Sequence, residues 1–339
     1  MRDDLGITTK LENGKAYLEF ALPEKIGRLL SALQIEIWEE AEGGRLVFHG
    51  EYSSEEADFM TALLLRPHLW DGMRDPYVYL VKAQGRFRTM EDGEKTGGTR
   101  NEEESDPAED ITGAVEVYWQ QELAIYDVRV IDKKGIFLNE KEFLLREVSY
   151  RLPPQISDVG TQEAQMKRDL ERLARLGVNA IRLEETGSGA EGQDRCEVRA
   201  FYSLCRRRGF LTGDLWIRPE ILPVYRGLPG ETMAEALLAA DGRTLTERYY
   251  YYQAKWSSEP VLYPVLSTLH RQENGLLSLT IYSNQKKVVL YVDGLLFLFQ
   301  TAASGDPEFI FEDIPVEKLP LHLAVEAGNL SISLTVTKL

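Results

Sequence analysis

The fold is decided by a stretch whose centre reads Leu176-Gly-Val-Asn-Ala-Ile-Arg-Leu183. The apolar run Val178–Leu183 has the length and composition of a buried strand. A strand-like run at Phe143–Tyr150 precedes it, and another at Phe210–Ile217 follows it. Helix-like segments separate the three runs. Strand, helix, strand, helix, strand is the order that builds a parallel sheet with right-handed crossovers.

Both intervening helices show the expected periodicity and stop residues. In the first, apolar residues recur at steps of three and four and Gly177 ends the pattern; they are Met166, Leu170, Leu173 and Leu176. In the second, Asp194 and Glu197 have the spacing of a capping box, and Gly209 follows the last turn. The residues 135–217 therefore predict an α/β core.

Several segments of the chain resemble glycoside hydrolase family 2, which contains β-galactosidases, β-glucuronidases and β-mannosidases. The segments, in the family's order, are Pro67–Trp70, Asp75–Tyr79, Gly135–Glu140, Leu144–Ser149, Leu176–Leu183, Phe201–Cys205, Tyr249–Pro260 and Ile281–Asn284. The resemblance implies that residues 135–217 open a catalytic (β/α) barrel. It also implies an immunoglobulin-like domain before the barrel and a sandwich after it. We expect the family's N-terminal sugar-binding jelly roll to be absent.

We therefore predict a multidomain α/β plus all-β protein, with a truncated (β/α) barrel-like core flanked by two immunoglobulin-like β-sandwich domains. The predicted domains are residues 1–134, 135–256 and 257–339. Short strand-like runs with turn signals support both sandwiches, among them Lys15–Ala21, Thr61–Leu65 and Leu321–Ala327. In the last domain, Asp293-Gly294 between two apolar runs predicts a two-residue hairpin. We expect a loop at Arg218–Gly230 and a short helix at Thr232–Ala240.

The character of the chain changes inside the first predicted domain. Residues 84–110 are rich in Gly, Glu and Asp and poor in apolar residues after Phe87. Such a composition cannot bury enough apolar surface to order the chain. We expect a disordered, solvated insertion there.

The catalytic half of the barrel has no room in this chain. A βα unit takes about 30 residues, so five further units would need about 150, but only residues 218–248 lie between Ile217 and Tyr249. A retaining β-glycosidase also needs two carboxylates about 5 Å apart, and neither late-strand glutamate of the family has a match. We therefore expect no catalytic residues and no hydrolysis.

Two residues stand where the family places active-site support, Arg182 and Asp214, and Trp216 is a third candidate for sugar contact. Arg182 is a candidate sugar ligand, or else an ion-pair partner of Asp214 or Glu147. Trp216 is a candidate stacking platform for a sugar ring, or else a core residue.

Other residues at the predicted strand ends depart from the family pattern. Arg151 occupies a position where the family has a histidine, and Glu184 and Glu185 replace another. Adjacent residues on a strand face opposite sides, so these two glutamates cannot form a catalytic pair, and we expect solvated loop carboxylates. In the run Tyr249–Tyr252, we expect packing to bury about half of the rings.

Composition excludes several partners. The net charge of −16 argues against nucleic acid and anionic membranes, which attract clustered cations. No apolar run approaches the roughly 20 residues of a membrane helix, and we expect cytoplasmic residence. We predict no metal, since the histidines show no ligand spacing, and no cofactor. Cys196 and Cys205 lie about 13 Å apart along one helix, too far for a disulfide.

Three functions remain open after the sequence is read. The first is a non-catalytic protein with a carbohydrate-binding or structural role. The second is an active β-glycosidase that uses a partner chain or unusual residues, and the third is a protein-interaction scaffold. The outer strands of a partial barrel need a cover. The candidates are the sandwiches, the segment 232–256, or self-association with a second chain. Tyr249–Trp256 is apolar enough to pack on the core.

Overall fold

A computed structural model describes residues 5–22, 27, 29–39, 44–56, 60–88, 114–152, 159–184, 195–212, 223–227, 236–303 and 305–338. The chain divides into two compact units, residues 1–144 and residues 145–339. Most of the regular structure is β-sheet. No helix within the described ranges is long and apolar enough to cross a membrane.

The first unit is a sandwich of two antiparallel sheets with a small third sheet. Its described strands are β1 (Gly6–Glu12), β2 (Lys15–Ala21), β3 (Leu30–Glu39), β4 (Leu46–Ser53), β5 (Thr61–Leu65), β6 (Tyr79–Arg88), β7 (Ala114–Leu123), β8 (Val128–Ile131), β9 (Gly135–Leu138) and β10 (Lys141–Glu142), with short 3-10 turns at Ser54–Glu56 and Gly72–Arg74. The sheets have the orders β1-β2-β5, β4-β3-β6-β7 and β10-β9-β8. Alternate residues of β2 and β3, such as Leu18 and Ile35, face a common core.

The structure of the first unit corrects two sequence predictions. Gln84–Arg88 were expected to begin a disordered insertion, but they form the end of β6 and pair with β7. Cross-strand neighbours on β7 supply the order that local composition does not. The rest of that prediction lies outside the described residues. Strand β9, expected in the α/β core, instead pairs antiparallel with β8 in the first unit.

The second unit begins with a parallel sheet and its helices. The elements are β11 (Glu147–Tyr150), α1 (Val159–Leu176), β12 (Ala180–Leu183), α2 (Arg195–Arg207), β13 (Leu211–Thr212), β14 (Val224–Arg226), β15 (Ala236–Leu238) and α3 (Glu247–Trp256). All pairings in the order β13-β12-β11-β14-β15 are parallel. The three predicted parallel strands are thus confirmed.

Strands β14 and β15 correct the sequence prediction. Residues 224–226 were expected in a loop and residues 236–238 in a helix, but both segments join the parallel sheet. Three-residue apolar runs are too short to show a period, and their strand geometry comes from pairing with neighbours. The other residues of the predicted helix at 232–235 are not described.

One face of the parallel sheet packs against the helices. Buried residues of α1, α2 and α3, among them Leu170, Phe201 and Tyr249, form one core with Val148 and Ile181. Cys205 is buried in α2, as expected for a packing residue. The predicted packing of Tyr249–Trp256 on the core is confirmed as well, because Tyr249 belongs to this cluster.

Residues just before α3 also cover the outer edge of β15. The Thr246 amide donates to the Leu237 carbonyl at 3.1 Å, and its hydroxyl donates to the Ala236 carbonyl at 2.6 Å. The polar backbone groups at this edge therefore have partners.

The same core contains a buried carboxylate, Asp169 on α1. Its oxygens accept hydrogen bonds from the hydroxyls of Tyr150 (2.9 Å) and Tyr225 (2.8 Å) and from a guanidinium nitrogen of Arg226 (3.0 Å). The ring of Tyr150 is sandwiched between Phe201 and Tyr225. Burial, reinforced by the Asp169 charge, raises the pKa of both tyrosines. This network ties α1 to strands β11 and β14.

The second unit ends in an antiparallel sandwich. Its strands are β16 (Leu262–Arg271), β17 (Leu277–Ser283), β18 (Lys287–Val292), β19 (Leu295–Thr301), β20 (Glu308–Ile314), β21 (Leu321–Ala327) and β22 (Leu330–Val336). A sheet of order β16-β17-β20 faces one of order β19-β18-β21-β22. The predicted hairpin is confirmed: Asp293 (φ 47°) and Gly294 (φ 80°) both have positive φ, as a type I′ turn requires.

Candidate functional site

The predicted site residue Arg182 lies on the face of the parallel sheet opposite the helices. Its Nε and Nη2 atoms donate to the two oxygens of Glu147, each at 3.1 Å. Residues 147 and 182 share this face because Ser149 pairs with Arg182, and Glu147 lies two residues before Ser149. Glu147 is almost completely buried. The guanidinium of Arg182 is therefore held by a bidentate ion pair, the alternative role that the sequence left open.

A second ion pair lies at the carboxyl ends of the central strands. Glu184 accepts a hydrogen bond from the Ser149 hydroxyl at 2.7 Å and is paired with the Nε of Arg151. The expectation that Glu184 is a solvated loop carboxylate is wrong, because its amide donates to the Tyr150 carbonyl and draws the residue against β11. Glu185, Asp214 and Trp216 lie outside the described residues.

Arg151 also occupies the point where the strand order reverses. Strands β12 and β14 lie on opposite sides of β11, and open α/β sheets usually bind ligands in the crevice at such a point. Here the Nη1 of Arg151 donates to the Arg226 carbonyl at 3.2 Å. The arginine thus bridges β11 and β14 across the crevice.

A different surface of the second unit carries a cluster of tyrosines. Helix α3 begins at Thr246, whose hydroxyl accepts from the Tyr249 amide. Because a helix turns about 100° per residue, the four tyrosine rings of the run Tyr249–Tyr252 point in different directions around the helix. Tyr249 enters the core, as predicted for part of this run, whereas the next three rings are half-buried.

The half-buried rings meet tyrosines from the first two strands of the C-terminal sandwich. Tyr250 stacks on Tyr263 with a centroid distance of 3.8 Å and an interplanar angle of 7°. Tyr251 meets Tyr282 edge-on at 5.4 Å. Tyr252 packs against Trp256 at 4.5 Å. Offset and edge-on contacts of this kind stabilise aromatic clusters.

These rings line an open groove of about 790 Å³, which we call the tyrosine groove. Its lining residues are Leu245, Thr246, Glu247, Arg248, Tyr251, Tyr252, Tyr263, Ser267 and Tyr282. The groove thus combines aromatic rings with a rim of charged and hydroxyl side chains. Small-molecule sites typically have this composition and a comparable volume.

The polar rim of the tyrosine groove is held in place by the protein itself. The carboxylate of Glu247 accepts from the amide of Ser267 at 3.1 Å and from its hydroxyl at 2.5 Å. The guanidinium of Arg248 lies 5.7 Å from the centre of the Tyr252 ring. Such fixed groups can orient a ligand that lies on the rings.

The tyrosine hydroxyls of the groove are available to a ligand. Those of Tyr251, Tyr252, Tyr263 and Tyr282 form no hydrogen bond with any described residue. Burial, together with the nearby charges of Glu308 and Glu247, raises the pKa of Tyr282 to about 12. Near neutral pH this hydroxyl is protonated and can both donate and accept a hydrogen bond.

Sequence reasoning missed the tyrosine groove as a site. The run of four tyrosines was visible, but its partners Tyr263 and Tyr282 lie 11 and 30 residues beyond Tyr252 and come from another predicted domain. The spacing of residues within α3 could not show this meeting. Among the described side chains, no group of three or more His, Cys, Asp or Glu could hold a metal ion.

Comparison with solved structures identifies proteins with a similar fold. No protein-family model and no curated protein matches the chain. An FMN-binding β-glucuronidase from Facaelibacterium prausnitzii L2-6 matches with a TM-score of 0.64 and 14% identity, over 99% of this chain and 74% of that one. A putative β-galactosidase from Bacteroides fragilis matches with a TM-score of 0.63 and 13% identity, over 98% and 73%.

A third match, β-glucuronidase 2 from Bacteroides uniformis, has a TM-score of 0.56 and 14% identity, over 99% of this chain and 61% of that one. The fold is therefore of the class seen in glycoside hydrolases. Within that class, the solved structures similar to this chain include β-glucuronidases and a putative β-galactosidase. At these identities the likeness establishes the fold alone.

Proposed function

We propose that this chain is a non-catalytic, carbohydrate-binding relative of glycoside hydrolase family 2, with a truncated barrel as its core. The ordered family-like segments and the fold of the solved relatives support the kinship. Five parallel strands are described in the core sheet, where a complete barrel has eight.

The ion pairs at the core sheet support the absence of catalysis. A retaining glycosidase needs one carboxylate free to attack the sugar and another free to donate a proton. Both oxygens of Glu147 are occupied by the Arg182 guanidinium, and Glu184 is held by Arg151 and Ser149. A carboxylate paired with a guanidinium is stabilised as the anion, which opposes its use as a proton donor, and its oxygens are held by partners within the protein.

The tyrosine groove is the observation that carries the proposed binding function. A sugar ring presents a flat face of C–H groups that packs on aromatic rings, and its hydroxyls need polar partners at the edge. The groove offers both in one place, with Tyr263 and Tyr282 at the rings and Glu247 at the rim. In this proposal Arg182 stabilises the sheet through Glu147, and Asp214 and Trp216 remain candidates for sugar contact.

The test combines a glycan array with calorimetric titration of the best oligosaccharide. We expect the wild-type chain to bind, and Tyr263→Ala combined with Tyr282→Ala to bind at least tenfold more weakly, since each lost stack costs roughly 1 kcal/mol. Tyr118→Ala is the matched control because Tyr118 is an exposed tyrosine of the first unit. Binding that is indifferent to both groove tyrosines would remove the groove from the proposal.

A panel of chromogenic β-galactosides, β-glucuronides and β-mannosides tests the catalytic half of the proposal. We expect no turnover. Turnover that Glu147→Gln, Glu184→Gln or Asp214→Asn abolishes would contradict it and favour an active glycosidase. A folded chain that neither binds glycans nor turns over any glycoside would favour a scaffold.

A further inference from the structure

Strand β19 departs from the normal pattern of a sandwich strand. It reads Leu295-Leu-Phe-Leu-Phe-Gln-Thr301 and contains no charge. A sandwich strand normally alternates buried apolar with exposed polar residues, yet Leu295, Leu296 and Phe299 are 75%, 60% and 52% exposed. The strand therefore presents apolar side chains to solvent on both of its faces.

The arrangement of the two sheets explains this exposure. Strand β19 is outermost in a four-stranded sheet that faces one of three strands. Leu298 pairs with Leu290 and so points to the same side of the sheet. Leu290 is completely buried, whereas Leu298 is 42% exposed. Phe297 of β19 still packs against the core, whereas Leu298 extends beyond it.

The outer edge of β19 is also unpaired. The strand pairs with β18 alone among the described strands, so the backbone N–H and C=O groups on its other side face outward. Natural proteins usually protect such edges with charges, prolines or bulges. The outer residues of β19 include neither a charge nor a proline, and the strand's irregularity is a single extra residue, Phe297, in its pairing with β18.

A neighbouring residue enlarges the apolar surface. Ile310 of β20 is 51% exposed, and its carbonyl accepts from the side-chain amide of Gln300 at 2.6 Å. Together with the leucines and Phe299 of β19, it forms a patch of roughly 500 Å², a size that marks interaction sites on soluble proteins. We call this surface the β19 patch: Leu295, Leu296, Leu298, Phe299 and Ile310.

We propose that the β19 patch is the interface of a symmetric dimer, in which β19 pairs antiparallel with β19 of a second copy. A two-fold axis at Leu298 brings this residue opposite its own copy. Such a contact is self-complementary, because apolar residues meet apolar residues and each unpaired edge finds its hydrogen-bonding partner.

Charges at the two ends of the strand favour this partner and this direction. Lys287 lies beside the Thr301 end, as its pairing with that residue shows, and its ammonium lies 4.1 Å from the centre of the Phe299 ring. Asp293 lies beside the Leu295 end, where its carboxylate accepts from the His322 amide. Antiparallel pairing brings the Lys287 end of each copy to the Asp293 end of the other. Elsewhere the net charge of −16 makes two copies repel, so the uncharged strand is the place where they can approach.

The size of the patch sets the expected strength. Two copies would bury about 1,000 Å² in total, at the low end for a specific interface. We therefore expect a dimer in the micromolar range rather than an obligate one. Its population should rise with protein concentration.

Sedimentation equilibrium of the full chain, from about 1 to 100 µM, tests the dimer. We expect the mass to rise from 38.6 kDa toward twice that value. Leu296→Lys and Leu298→Lys should weaken the dimer at least tenfold, because each places two like charges at the interface. Leu144→Lys should change the dissociation constant less than twofold, since Leu144 is a similarly exposed leucine (69%) outside the patch.

A cysteine variant tests the register without adding charge. Under mild oxidation Leu298→Cys should give a disulfide-linked dimer, whereas Leu144→Cys should give none above the wild-type background. A wild-type chain that stays monomeric to the highest concentration would overturn the proposal. So would a dimer that survives both lysine variants, or one that Leu144→Lys disrupts equally. The monomeric result would leave a partner protein or a further chain segment as the occupant of the patch.

Discussion

Removal of the buried carboxylate of Asp169 should destabilise the second unit strongly. Its side chain is fully buried on α1 and accepts hydrogen bonds from two tyrosine hydroxyls and from Arg226. In Asp169→Ala these donors lose their acceptor, as does the side-chain amide of Gln165, which donates to Asp169 at 2.8 Å. The largely buried guanidinium also loses its counter-charge.

The magnitude follows from the burial of the partners. Breaking a buried charged pair costs about 3 to 5 kcal/mol, and each orphaned buried hydroxyl adds up to about 1 to 3 kcal/mol where it cannot relax. Because these terms overlap, we expect a loss of about 4 kcal/mol for Asp169→Ala. Asp169→Asn keeps one acceptor oxygen but no charge, and should lose about half as much. The free energy of unfolding of a protein is usually about 5 to 15 kcal/mol, so either loss should be readily measurable.

Urea unfolding followed by helical circular dichroism is the suitable assay. The helices α1, α2 and α3 lie in residues 145–339, so this measurement reports chiefly on the unit that contains Asp169. Glu163→Ala is the matched control on the same helix, because Glu163 forms a half-exposed pair with Lys167 that contributes about 0.5 kcal/mol or less. A loss below about 1 kcal/mol for Asp169→Ala, or an equal loss for Glu163→Ala, would refute the reasoning.

Three further predictions concern the same unit. Arg182→Ala leaves the buried carboxylate of Glu147 without its bidentate partner and should lower the unfolding free energy by about 3 kcal/mol; an unchanged urea midpoint would contradict this. Gly177→Ala should lower the unfolding free energy by at least 1 kcal/mol more than Gly275→Ala does. Both glycines have positive φ, but a Cβ at residue 177 would lie 2.5 Å from the last carbonyl oxygen of α3, whereas a Cβ at residue 275 would face open space. Equal thermal midpoints for the two variants would contradict this prediction. Hydrogen bonds from residues 244 and 243 lower the pKa of Asp241 to about 2 from 3.8. The contribution of the Asp241 carboxylate to folding stability is therefore present above pH 3.8 and lost toward pH 2. The difference in stability between the wild type and Asp241→Ala should shrink over that range, and a constant difference would count against this role of the hydrogen bonds.

Much of the strand pattern could be predicted because it depends on local spacing. Alternation placed Lys15–Ala21, Thr61–Leu65 and Leu321–Ala327 with bounds that agree with the structure. A side-chain period of two is visible in any half-buried strand. The Asp293-Gly294 turn was equally visible, because few residue pairs accept two successive positive φ angles.

The short strands β14 and β15 show where local reasoning stops. Each has three residues, and nothing in three residues separates a strand from a loop or a helical turn. Their geometry comes from hydrogen bonds to β11 and to each other. Only the tertiary structure supplies those partners.

The candidate sites likewise include features that could be predicted from the sequence and features that depend on tertiary packing. The parallel core, the two sandwiches and the mismatch with both catalytic glutamate segments could be predicted before the structure was known, because residue patterns and chain length are local or countable properties. The tertiary structure alone decided that Arg182 pairs with Glu147, that Tyr263 and Tyr282 meet α3, and that Leu298 of β19 extends past the core. Each of these depends on which distant segments pack together, and packing across the chain leaves no trace in the spacing of neighbouring residues.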